Sequence, residues 1–321
     1  MRVVHDAAII HDDPSPRARA INVGVRLTVK PLLRVVPLGE EIFRKVRGLE
    51  RYKPTIPHPQ STNTAIDLGG VPAEEMVHVD GPTSDVVILY FHGGGFFSGS
   101  INTHRSLTER LALATGGRTI SVGYRQLPEA HLAESVQDAI TAYEAALERT
   151  DGPIVVAGDS AGGYLATKVA ELATRRGLRP PAGLIGFSPL LSIDPERTDK
   201  FVLRVSRERD AYLPRQRVGA IRTWWLPDEA MIEGFASPLH ASAYIRCPVH
   251  LVAVEDEFLR PEVEAFAVLL TDKGIDVELH IWRGQVHAFP SFVDLIPDAE
   301  EAIELAAAFA RSCAGQSYSQ A

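Results

Sequence analysis

The run Val86, Val87, Ile88, Leu89, Tyr90, Phe91 limits what this chain can fold into more than any other feature. An unbroken apolar stretch rich in β-branched and aromatic residues, ending at glycines, suits a strand buried on both faces. Similar runs recur at 118–124, 153–157, 183–187, 248–254 and 276–282. Helical spacing follows several of them. Residues 133–147 place Val136, Ile140, Tyr143 and Leu147 on one face, 164–174 follows the third run, and 299–313 forms a closing amphipathic span. Strand and helix in alternation predict an α/β fold, a mainly parallel sheet with helices on both faces.

A chain of 321 residues can form a single such unit. Its 45% hydrophobic and 23% charged residues are ordinary for a soluble globular protein. A net charge of -8 supplies no basic face, so no nucleic-acid partner is expected. Cys247 and Cys313 are too few for a disulfide framework and read as free thiols of a reducing compartment. His11, Asp12 and Asp13 cut short any leader-like apolar stretch, and no window reaches the ~18 apolar residues of a membrane span. The expectation is a cytoplasmic protein without stable membrane insertion. Oligomeric state is left open, a homodimer being one option.

Two regions break the rhythm. Residues 1–57 mix basic side chains (Arg26, Lys30, Arg34, Arg44, Lys45, Arg47) with Val25, Leu27, Leu32, Leu33 and Phe43, which predicts one or two amphipathic helices broken near Pro31 and Pro37. Such helices can lie on a membrane surface; the plainer reading, preferred here, packs them on their own domain. The stretch 190–234 is arginine-rich (Arg197, Arg204, Arg207, Arg209, Arg215, Arg217), then aromatic at Trp224 and Trp225, and is too long for a simple connection. The division expected is therefore N-terminal cap helices (1–57), a first part of the core (58–189), a cap insertion (190–234), and a second part of the core (235–321). Both cap regions would lie over the carboxyl ends of the strands, where ligands of such sheets bind.

The chemistry starts at Gly158-Asp159-Ser160-Ala161-Gly162-Gly163, between a predicted strand and a predicted helix. A serine hydroxyl is a poor nucleophile unless it is held exposed beside a base. Small residues on either side of Ser160 permit a sharp turn that lifts it clear of the sheet. A bare Gly-x-Ser-x-Gly is frequent by chance, and a serine here also suits a helix cap; the strand–turn–helix setting favours the nucleophile. His92-Gly93-Gly94-Gly95-Phe96 directly follows the 86–91 run. Its glycines expose backbone N–H groups, and Gly93 and Gly94 with Ala161 are the expected oxyanion donors. His287, just past the 276–282 strand, is the candidate base; His280 within that strand reads as a packed or surface residue, and His92 as an anchor for the glycine loop. The acid should follow strand 248–254, where Glu255, Asp256 and Glu257 stand together. Phe96, Trp224 and Trp225 are candidates for the substrate pocket, with Phe97 and Tyr212 also in reach of that reading or of plain cap core.

Taken together, HGGGF, GDSAGG and Tyr124-Arg125-Gln126-Leu127-Pro128-Glu129 between them resemble the hormone-sensitive-lipase-like family of bacterial carboxylesterases, over roughly residues 80–310. The family's Asp-Pro-Leu-Arg segment runs without a gap against Glu257-Phe258-Leu259-Arg260, so the resemblance puts the acid role on Glu257, with Asp256 as rival. Glutamate in place of aspartate is a departure, as are Gln126 and the segment His131-Leu132-Ala133-Glu134. The resemblance implies an α/β-hydrolase fold, a helical cap, hydrolysis of small short-chain acyl esters, and no metal or organic cofactor.

The hexapeptide also looks like the Gly-Asp-Ser-Gly-Gly of chymotrypsin-like proteases, but there histidine and aspartate precede the serine. A ligand receptor on the same fold would be marked by loss of the histidine, and His287 is present. An amidase, lactone hydrolase or acyltransferase would use the same three side chains, so the triad alone does not separate these from an esterase.

Overall fold

A computed structural model of the protein describes residues 8–50, 52, 56–194, 209–227 and 232–317. The strands, in chain order, are β1 (Ile9–His11), β2 (Ser61–Leu68), β3 (Val71–His78), β4 (Val87–Phe91), β5 (Arg118–Val122), β6 (Ile154–Asp159), β7 (Gly183–Phe187), β8 (Val249–Val254) and β9 (Val277–Trp282). They form one sheet in the order β1-β9-β8-β7-β6-β4-β5-β3-β2. Only the β2–β3 and β3–β5 pairs are antiparallel. The α/β fold with a mainly parallel sheet is thus observed, and β4 to β9 coincide with the six apolar runs.

Every residue of β4, β6, β7 and β8 is buried, as runs with no polar face require. Alternate side chains go to opposite cores. Val87, Leu89 and Phe91 join one with α5 (Leu132–Arg149), α6 (Ala161–Arg175) and α8 (Arg260–Thr271). Ile88 and Tyr90 join the other with α4 (Ile101–Thr115), α9 (Asp298–Ser317) and Ala18 of α1 (Pro16–Leu27). The chain leaves β4 for β5 on one side and returns to β6 on the other. This reversal opens a crevice beyond the carboxyl ends of β4 and β6.

The N-terminal region differs from expectation in two respects: it holds three helices rather than one or two, and it is not all helix. Ile9–His11 adds a parallel edge strand to β9, in register with His280, Ile281 and Trp282. Three residues are too few for a periodic signal, and the open backbone edge of β9 is what selects them. After α1 come α2 (Val29–Val35) and α3 (Glu40–Glu50). The break falls at Thr28, before Pro31, because a proline in the first turn of α2 forfeits an N–H that has no intrahelical partner anyway. The second break is where expected: Val36, preceding Pro37, is extended (φ -61, ψ 123).

The β2–β3 hairpin turns on Gly69 and Gly70, both with positive φ (66 and 91). A two-residue loop of that kind matches strand twist and favours glycine at both positions. Of the 190–234 insertion, the described parts include α7 (Arg215–Trp225) and the residues around Asp210; Arg197, Arg204 and Arg207 lie outside the described residues. The chain re-enters the core over α6. There Lys168, fully buried, donates to Glu171 (2.6 Å) and to the carbonyls of Glu233 (2.7 Å) and Phe235 (2.9 Å). A buried lysine is tolerated only when paired in this way, so these bonds fix where the insertion ends. No helix among the described residues is long and apolar enough to cross a membrane.

Candidate active site

Ser160 sits on the turn between β6 and α6 with φ 50 and ψ -116, a conformation costly for a non-glycine residue, on the order of 1–3 kcal/mol. Its surroundings enforce it. The Ser160 N–H donates to the Phe187 carbonyl (3.0 Å), and the Ser160 carbonyl accepts from Leu190 (2.9 Å) and Tyr164 (3.2 Å). A Cβ at Gly162 would lie 1.8 Å from the carbonyl oxygen of Phe91, so only glycine lets α6 start this close to β4. Ser160 is half-buried, with its hydroxyl at the carboxyl end of the sheet.

The next two members come from chain segments 97 and 127 residues later (257 and 287). Nε2 of His287 lies 2.9 Å from Ser160 Oγ, and its Nδ1 lies 2.8 Å from Glu257 Oε2. The other Glu257 oxygen accepts the Val254 N–H at 2.9 Å, which fixes the carboxylate at the end of β8. His287 and Glu257 are buried (4% and 2% exposed). Asp256 points elsewhere, 3.7 Å from Arg209 and partly exposed. The structure therefore brings Ser160, His287 and Glu257 together and leaves Asp256 out. Burial of His287 opposes its charged form, but the hydrogen bond and charge of Glu257, and then the charges of Asp210 and Asp159, outweigh it and raise the imidazole above its ordinary value.

The glycine loop requires one correction. Gly93, expected as an oxyanion donor, gives its N–H to Asp159 Oδ1 at 2.8 Å, behind the loop. That carboxylate also accepts from Tyr90 (2.7 Å) and lies 3.3 Å from His104. Burial disfavours its charge, yet His104, Tyr90 and the Gly93 N–H together hold the carboxyl below the ordinary value. The Asp of GDSAGG is thus a buried anchor for the HGGG loop. Among the described residues, the N–H groups of Gly94, Gly95 and Ala161 have no acceptor. Gly95 was not singled out from the sequence, although it stands in the same glycine triplet. His92 anchors the loop as expected: it is buried, its Nδ1 lies 2.8 Å from the Gly93 carbonyl, its ring stacks on Tyr124, and Tyr124 donates to its carbonyl at 2.7 Å.

The aromatic residues divide. Phe96 (1% exposed) is wedged edge-on between Tyr164 and Trp225. Trp225 (4% exposed) donates its indole N–H to the Gly95 carbonyl at 2.7 Å. Both brace the glycine loop from behind, and the expectation that they line an open pocket is revised accordingly; their apolar bulk is spent on packing. Trp224 is half-buried and meets Phe43 of α3, which also contacts Phe97. Tyr212 stands beside His287, 6.1 Å between ring centroids.

Asp210 was missed altogether, being one acid in a polar stretch with no pattern around it. It is buried; Oδ2 accepts the Phe258 N–H (2.7 Å) and Oδ1 accepts those of Tyr212 (2.7 Å) and Leu213 (2.8 Å). It thereby holds the turn that carries Glu257. A hollow of about 980 Å³ lined by Asp85, Gly152, Arg179, Arg246 and Asp276 lies at the opposite, amino-terminal ends of the strands and contains none of these groups.

Comparison with known proteins gives the family. The profile of the alpha/beta hydrolase fold family matches residues 88–291. The chain is 28% identical over 334 aligned residues to the carboxylesterase/phospholipase LipF of Mycobacterium tuberculosis, covering 96% of this chain and 85% of that one. It is 31% identical over 228 residues to carboxylesterase NlhH of the same organism, covering 67% and 70%. Among solved structures, EstE5 soaked with p-nitrophenyl butyrate superposes with a TM-score of 0.83 at 25% identity, covering 94% of this chain and 99% of that one. A hormone-sensitive lipase from a metagenome library gives 0.80 at 28% identity, with the same coverage. The chain belongs to the alpha/beta hydrolase fold family and, within it, to the hormone-sensitive-lipase-like carboxylesterases.

Proposed function

We propose that this serine carboxylesterase hydrolyses short-chain acyl esters of small molecules with Ser160 as nucleophile, His287 as general base and acid, and Glu257 as the carboxylate behind it. The observation that carries the reading is the unbroken chain from Ser160 Oγ through both nitrogens of His287 to Glu257. Ser160 Oγ attacks the ester carbonyl carbon while His287 Nε2 takes its proton. The carbonyl oxygen becomes an oxyanion, for which the N–H groups of Gly94, Gly95 and Ala161 are the donors, each worth about 3–4 kcal/mol of barrier. Collapse of the intermediate expels the alcohol, which leaves with the proton from His287. Water then attacks the acyl-serine, His287 taking its proton; the bond from the acyl carbon to Ser160 Oγ breaks, Oγ takes that proton back from His287, and the acid is released. Glu257 holds the imidazole in the tautomer that presents a bare Nε2 to the serine and stabilises the imidazolium.

The acyl preference rests on the family resemblance and on the use of a butyrate ester with EstE5. The cap is proposed to comprise α1–α3 and the insertion that carries α7, with the rest of the chain as core. In hydrolysis of p-nitrophenyl butyrate, Ser160→Ala is expected to lose on the order of a million-fold in kcat. Substantial turnover by that variant would remove Ser160 from the mechanism.

A further inference from the structure

The outer half of the sheet carries a second cluster of chemistry-bearing side chains, on β8 and β9 rather than at the ends of β4 and β6. His250 and Glu278 are paired in register, and His280 follows two residues along β9, so all three project from one sheet face. His250 Nδ1 is 3.0 Å from Glu278 Oε2, and His280 Nε2 is 3.9 Å from the same oxygen. One nitrogen of each imidazole and one carboxylate oxygen all lie within 4.8 Å of each other. The histidines are 0% and 3% exposed, whereas the Glu278 side chain is 51% exposed. The cluster thus has a buried floor and a mouth open to water.

A plain His250–Glu278 hydrogen bond explains part of this arrangement but not His280. Its Nε2 is buried, faces Glu278, and has no hydrogen-bond partner among the described residues. An unpaired buried polar group is costly, and a ligand on that nitrogen removes the cost. Its Nδ1 is occupied instead, 3.0 Å from Nε2 of His11 on β1. With Nδ1 held by His11, the ring is fixed and Nε2 is left to take a ligand, as the outer-shell bond of a metal-ligating histidine does. His11 is itself fixed, stacked on Trp282 at 3.8 Å and 2°.

We infer that His250, Glu278 and His280 bind a divalent first-row metal ion, Zn²⁺ above all, which fastens β8 to β9 and, through His11, the edge strand β1. Zinc takes nitrogen and oxygen ligands at roughly 2.0–2.2 Å, which puts neighbouring ligands of a tetrahedral site about 3.3–3.5 Å apart. The observed 3.0 and 3.9 Å bracket that value and the two imidazole nitrogens lie within 4.8 Å of each other, so side-chain rotations draw the three ligands onto one ion. Two nitrogens and one carboxylate oxygen leave a fourth position on the open side for water. Imidazole ligands suit zinc better than calcium or magnesium, which prefer all-oxygen shells. The ion ties three strands together at a place in the sheet that holds none of Ser160, Glu257 and His287, so it is separate from ester hydrolysis.

The test uses the full chain, stripped with chelator and titrated with Zn²⁺ by calorimetry, with the melting temperature recorded at each addition. Wild type should bind one ion per chain saturably and melt higher with it. Glu278→Gln, at a half-exposed position, and His280→Asn should lose both effects. His11→Phe should weaken binding about 10–100-fold, as loss of an outer-shell partner does. Hydrolysis of p-nitrophenyl butyrate reports that each variant is folded and should be unchanged by Zn²⁺ or chelator. Absence of saturable binding to wild type, or equal binding by Glu278→Gln, overturns the inference. Should His280→Asn fail to fold, Glu278→Gln decides alone.

Discussion

At the scale of single residues, the acid was the one triad member that the residues alone left open, because Glu255, Asp256 and Glu257 share one loop. Distance resolves the geometry: Glu257 is 2.8 Å from His287, while Asp256 is drawn outward to Arg209. Glu257→Gln keeps the shape but replaces a carboxylate oxygen with an amide, which favours the wrong imidazole tautomer. A kcat loss of about ten-thousand-fold is expected, the scale seen for such isosteric changes in serine triads. Asp256→Asn should stay near wild type. Steady-state kinetics on p-nitrophenyl butyrate separates the two, and an equal loss from both changes would reject the assignment. Ser160 and His287 were legible from their places after two predicted strands. The partner of Gly93 was not, because glycine triplets do not reveal which N–H turns inward. That choice is made by Asp159, a buried carboxylate with three donors around it.

At the scale of elements, the central strands were legible because burial on both faces leaves no polar residue to confuse the reading. The helices α5 and α9 were legible from their apolar spacing. Of the elements not singled out, β1 is defined by the edge of β9, and β2 and β3 by their hairpin, while the helices α4 and α8 were passed over between the strands they connect. The glycine pair at 69 and 70 was a signal for that hairpin and could have been read. The tightest junction between elements is β4 against the start of α6. Gly162→Ala places a methyl 1.8 Å from a main-chain oxygen that no rotamer change can move. Overpacking of this kind typically costs about 1–3 kcal/mol and occasionally more. Gly24→Ala in α1 meets nothing within 4 Å and should instead stabilise by about 0.5–1 kcal/mol, as a helix gains from alanine. Urea midpoints for the two variants give the comparison. A Gly162→Ala protein as stable and active as wild type would mean that α6 can retreat from β4, and that the strained Ser160 turn does not depend on their close approach.

At the scale of the whole molecule, the N-terminal helices grip the segments that carry Glu257 and His287. Asn22 of α1 donates to the Gln285 carbonyl at 2.7 Å, two residues before His287. Arg26 donates to the Arg209 carbonyl at 2.5 Å and Lys30 to that of Asp210. Glu50 of α3 accepts the Gly99 N–H at 2.8 Å, beyond the glycine loop. None of this was legible in the sequence, since the contacts join positions up to 263 residues apart by single bonds without a pattern. Asp210 is where the grip meets the chemistry: its carbonyl is held by α2, its carboxylate holds the Glu257 turn, and its charge lies within reach of His287. The consequence is readable in pH. The base must be neutral to accept the serine proton, so kcat/KM rises as pH climbs through the His287 titration, above the ordinary 6.5. Burial pushes the Asp210 carboxyl above its ordinary value against the pull of His287 and three backbone N–H groups; in its ionised form it stabilises the imidazolium, so Asp210→Asn should move the acid limb to lower pH. Asp256→Asn, whose charge faces Arg209, should leave the limb in place. If Asp210 served packing alone, its loss would lower kcat at every pH without displacing the limb. An unmoved limb, or one moved upward, would therefore reduce the residue to scaffold and sever α2 from the titration of His287.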